Sequence, residues 1–163
     1  DDSAFRDFAK ELRNDLIPYI DATYATYGDY SPEGYDLTAA REYRAMAGFS
    51  FGAMQSINIG LCECLDVMSW FGAFSPATAT FEAEKIMEYL DDFESYEINY
   101  IYEICGDIDR NCLYAGQRAL QDLTKLTDKV AMKENLMMQI VPGTHDSAVA
   151  QLGFYNFLQL VFK

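Results

Sequence analysis

Along most of the chain apolar positions recur at the three- and four-residue spacing of a helix, and no stretch alternates with period two between hairpin turns. The pattern predicts an all-α fold. Pro32, Pro76 and Pro142 fall at polar or glycine-containing junctions that separate the helical blocks. The expectation is a single domain over residues 1–163, a bundle of about five helices.

The first block, Ser3 to Tyr27, sets Phe5, Phe8, Leu12, Leu16, Ile20, Tyr24 and Tyr27 on one side, with a kink or split expected at Pro18. A loop spans Gly28 to Gly34. A second long helix is expected from Leu37 to Phe71, in one or two pieces, with Gly48, Gly52, Ser56 and Gly60 on one ridge at intervals of four. That ridge reads as a helix-packing surface, with a ligand groove as the alternative.

The third helix is expected from Phe81 to Ile104 and the fourth from Asp109 to Met138, with a break at Gly106-Asp107. Val141-Pro142-Gly143-Thr144 reads as a turn, and Thr144 or Asp146 can cap a final helix, Ser147 to Phe162, that is apolar nearly all round. Such a helix lies inside a bundle or in an interface, so a homo-oligomer through it is a possible partner arrangement.

Composition adds charge to this picture. Twelve basic residues stand against 26 acidic ones, a net of −14. That sign repels phosphate backbones and anionic headgroups, so nucleic acid is excluded as a partner and membrane insertion is not expected. The uncharged stretch from Ala45 to Cys62 is interrupted by polar side chains and reads as a buried central helix.

Cys62, Cys64, Cys105 and Cys112 are an even set and read as a disulfide framework. Cys62 and Cys64 would point to different faces of a helix. Cys105 and Cys112 would stand about 10.5 Å apart along a continuous one, beyond bridging reach unless the chain breaks at Gly106. Two bridges between the segments are the economical arrangement, and they imply a secreted, extracellular protein whose numbering begins after a leader. Free buried thiols are the alternative. Spacings of one and six intervening residues depart from zinc-ligand pairs, so no metal and no cofactor is assigned.

No catalytic residue is assigned either. His145, the one histidine, reads as part of a turn beside the cap Asp146, because neighbours in sequence do not make a triad. Asp107 to Asn111 opens like a calcium loop, but Cys112 stands where glycine is needed and Arg118 where a glutamate is needed. A capped helix start is preferred there.

Twelve tyrosines and eleven phenylalanines are the unusual feature. Tyr24, Tyr27, Tyr30, Tyr35 and Tyr43 cluster around the first loop and are the expected contact surface. Tyr89, Phe93, Tyr96 and Tyr100 form a stripe that packs in the core or walls a pocket. The expected function is therefore that of a secreted, acidic protein-interaction module, an effector or recognition protein that binds an unidentified protein partner and is not an enzyme. The alternative is an extracellular carrier holding a small apolar ligand in an aromatic-lined helical cavity.

Overall fold

A computed structural model describes residues 3–31 and 33–163, and the side chains from residue 7 onward. Pro32 and the Phe5 side chain, both used in the expectations above, lie outside the described residues. The order of elements is α1 (Ser3–Glu11), α2 (Ile17–Thr23), β1 (Ala45–Phe49), α3 (Phe51–Gln55), β2 (Trp70–Phe74), α4 (Ala83–Leu90), β3 (Tyr100–Gly106), α5 (Arg110–Tyr114), α6 (Gly116–Leu126), β4 (Leu136–Val141) and α7 (Ser147–Leu158).

The fold is mixed α/β, which overturns the expected all-α bundle. The four strands form one parallel sheet in the order β1-β2-β3-β4, so each pair is joined by a crossover carrying helix. The expected second helix divides into β1, α3 with a wider helical turn to Leu61, and β2. The expected third helix ends as α4, and its last residues become β3. The fourth breaks into α5, α6 and β4.

The physical reason lies in burial on both faces. β2, Trp-Phe-Gly-Ala-Phe, is buried at every position. A strand covered on two sides shows a continuous apolar run instead of alternation, and such a run does not differ in periodicity from a piece of buried helix.

Phe71, Ala73 and Ile101 face one side, packed by Ile57, Leu61, Ile86, Leu90, Leu120 and Leu123 from the crossovers and by Leu12 and Ile17 from the N-terminal helices. Trp70, Phe74, Tyr102 and Ile104 face the other, where Val149, Phe157 and Val161 of α7 and its extension close a second core. At the first helical block, the chain widens to a π-type turn over Leu12–Leu16 just before Pro18, which has no N–H to continue the ladder. Asp146 caps α7 by accepting from the amides of Ala148 and Val149.

All four cysteines are free and fully buried, so the disulfide staples assigned to Cys62, Cys64, Cys105 and Cys112 are not formed. Burial pushes the Cys64 thiol up to about 11 and raises Cys62 further, as befits small apolar core fillers. The inference of an extracellular location rested on those bridges and loses their support. Among the described residues no helix is long and apolar enough to cross a membrane.

Candidate functional site

Three loops leave the carboxyl ends of β1, β3 and β4, and each delivers one polar side chain to the same point. In open parallel sheets this end of the strands is where ligand sites form.

Ser50 follows β1 directly and precedes α3. Its backbone stands at φ 60°, ψ −115°, a region that costs a non-glycine residue about 1–3 kcal/mol and is held only when the surroundings enforce it. Here they do: the Ser50 amide donates to Phe74 O at 2.9 Å, and its carbonyl accepts from the amides of Met54 and Ala77 at 3.0 and 3.2 Å. Gly48 makes the turn possible, because a Cβ there would stand 2.4 Å from the Gly52 carbonyl carbon. The run Gly48-Phe49-Ser50-Phe51-Gly52 is thus a sharp strand-to-helix turn with a serine at its apex.

Asp109 follows β3 and caps α5, its Oδ1 accepting from the Cys112 amide at 3.2 Å. His145 lies between β4 and α7. The two loops are tied at their bases: the Gly143 amide donates to Asp107 Oδ1 at 3.0 Å, and the Ile108 amide to Gly143 O at 3.1 Å. A Cβ on Gly106 would meet Gly143 O at 2.5 Å, so this approach also depends on glycine.

His145 bridges the other two residues. Its Nδ1 lies 2.8 Å from Asp109 Oδ2, and its Nε2 lies 2.9 Å from Ser50 Oγ. Burial pushes the Asp109 carboxyl up, but the hydrogen bonds from His145 and the Cys112 amide outweigh it and hold the group below the usual carboxylate range. An ionised Asp109 can only accept, so Nδ1 carries the proton, and in the neutral imidazole Nε2 accepts from the Ser50 hydroxyl. The acid is inaccessible, with 2% of its side chain exposed, while the histidine is 35% exposed. The Phe49 ring packs on the imidazole with centroids 4.7 Å apart.

The sequence alone gives none of these three a catalytic role. His145 does sit in a turn beside the cap, as expected, but its ring points 95 positions back to Ser50 and 36 positions back to Asp109. Asp109 is a helix cap that also serves the imidazole. The signal for Ser50 is G-x-S-x-G between a strand and a helix, and it is hidden while residues 45–52 read as helix and Gly48 and Gly52 as part of a packing ridge.

The expected contact tyrosines gather at the opposite end of β1. Tyr27 stacks on Tyr43 at 3.9 Å, and Tyr30 meets Tyr35 at 4.9 Å. Tyr24, Tyr27, Tyr30 and Tyr43 are exposed. Tyr35 instead donates to Asp21 Oδ2 at 2.8 Å. The expected pocket stripe does not converge: Tyr89, Phe93 and Tyr96 pack on the crossover-helix core, whereas Tyr100 packs on the α7 side. No known protein-family model matches this chain.

Proposed function

We propose that the protein is a serine hydrolase that cleaves esters through a covalent acyl intermediate on Ser50. The observation that carries this reading is the Ser50–His145–Asp109 line at the apex of a strained strand-to-helix turn. The chain order Ser, Asp, His and the G-x-S-x-G turn are those of α/β-hydrolases, a likeness of site and layout that supports the reading.

Ser50 Oγ attacks the acyl carbon as Nε2 of His145 takes its proton. The imidazolium formed faces the carboxylate of Asp109, which stabilises it and keeps the ring in the correct tautomer. The amide of Phe51, the residue after the nucleophile, is the position from which such turns donate to the oxyanion. His145 then gives the proton to the leaving alcohol, the Ser50–acyl bond replaces the ester bond, and water activated by the same nitrogen hydrolyses it. The net charge of −14 disfavours anionic substrates, so neutral acyl esters are the expected class.

The test is labelling with a fluorophosphonate followed by peptide mass spectrometry. A single adduct on Ser50, absent from Ser50→Ala and strongly slowed in His145→Ala, is the expected result. No adduct, or one on another residue, would overturn the proposal.

A second reading, binding of a protein or a small apolar ligand without catalysis, is favoured by a groove of about 450 Å³ at the other end of the sheet. Leu12, Leu16, Ile20, Tyr27, Tyr43 and Met68 are among its walls. Under that reading Ser50→Ala leaves binding at that groove intact.

A further inference from the structure

Beneath the acid loop, on the face of β3 covered by the crossover helices, lies a second cluster of reactive groups. Glu103 and Cys105 are two apart on β3 and therefore share a face. Cys112 descends onto them from α5. One oxygen or sulfur atom from each of the three side chains lies within 4.8 Å of the others, and all three residues have no exposed surface.

The hydrogen bonding of this cluster is incomplete. Among the described residues the Cys112 thiol donates to Glu103 Oε1 at 3.0 Å, whereas Glu103 Oε2, equally buried, has no partner at hydrogen-bond distance, and Gln117 gives the carboxyl only a longer polar contact. An unsatisfied buried acceptor of this kind costs about 1–3 kcal/mol, and native proteins keep few of them. Beside two thiols it completes a set of three buried donor atoms suited to a cation.

Two sulfurs and one carboxylate oxygen suit a borderline-soft cation in tetrahedral geometry, with water in the fourth position. Around zinc, with bonds of about 2.0–2.3 Å, ligand atoms stand roughly 3–4 Å apart, so this cluster needs to contract by no more than about 2 Å.

We propose that Glu103, Cys105 and Cys112 form a buried binding site for a zinc-class divalent cation. Binding forms two metal–sulfur bonds and one metal–oxygen bond, and the displaced thiol and carboxyl protons pass to solvent. This binding does not depend on the hydrolytic reading; only its consequence does. The Cys112 amide donates to Asp109 Oδ1, and the Cys105 thiol reaches the Asp109 carbonyl at 3.8 Å, so the ion would pin the loop that presents the acid to His145.

The experiment uses the reduced, chelator-stripped full chain titrated with Co²⁺. One equivalent should bind, with the sulfur-to-metal absorption band and the visible bands of tetrahedral cobalt. Cys105→Ser and Cys112→Ser should each weaken the sulfur band and the double variant should lose it, and Glu103→Gln should bind at least about tenfold more weakly. X-ray absorption of the zinc-loaded wild type, which does not depend on the variants folding, should count two sulfurs at about 2.3 Å. No sulfur band, a count of zero or four sulfurs, or a band that survives Cys105→Ser/Cys112→Ser and vanishes in Cys62→Ser/Cys64→Ser would each overturn the site. Fluorophosphonate labelling of Ser50 in the stripped protein separates this failure from failure of the hydrolase reading.

Discussion

The two ends of β1 each hold a buried aspartate with a nitrogen partner, and they do opposite things with it. Before the strand, Asp21 accepts from Thr26, Tyr35 and Arg44, with the Arg44–Asp21 pair at 2.6 Å and both side chains nearly inaccessible. Past its other end, about 17 Å along the strand, Asp109 holds His145. Arginine cannot give up its proton, so the first arrangement can only fasten α2 and the following loop to the sheet. Histidine can, and its free nitrogen faces a serine in a strained turn. The contrast shows that a paired buried carboxylate marks a working site when its partner can move a proton and meets a third group on an exposed side.

Substitutions can break this comparison, and the largest effect is expected at the serine. Ser50→Ala should lower turnover of a chromogenic acyl ester by about 10⁶-fold with little change in the thermal midpoint. Asp109→Asn keeps the shape but favours the wrong imidazole tautomer, and should cost about 10⁴-fold in kcat.

At the other end the effect moves from rate to stability. Asp21→Asn leaves Arg44 without its counter-charge and should destabilise by about 3 kcal/mol in denaturant titration, with unchanged turnover per folded molecule. Burial pushes the Asp21 carboxyl up, but its three hydrogen bonds and Arg44 win and hold it low. Its contribution is therefore complete above the unfolded value, about 3.9. It is lost as pH falls from there through the lower folded value, and Asp21→Asn should flatten that acid limb of the stability curve.

The smallest effect sharpens the account of strain. Ser50→Gly should be inactive yet more stable than the wild type by about 1 kcal/mol, read from the thermal midpoint, because glycine occupies φ 60° without penalty.

What the sequence made legible follows from the same physics. The helices at both ends of the chain were readable because their flanking signals are local: Pro18 at the start of α2, Asp146 at the cap of α7. The sheet was not. β1 is Ala-Met-Ala-Gly-Phe, without one β-branched residue, and β2 and β3 are buried on both faces, which erases the alternation by which strands are read. The site disappeared with the sheet, since G-x-S-x-G carries meaning only between a strand and a helix. Asp109 and His145 each had an adequate local role as cap and turn, and nothing local announces that two such loops meet.

α7 both covers the second face of the sheet and begins right after the loop that carries His145. Position of the imidazole is thereby mortgaged to packing some three turns away, where Phe157 sits on Phe74 and Tyr102. Trimming that ring would let the helix settle toward the sheet, and a change in an oily interior would be felt as a misaligned proton relay at the mouth of the site.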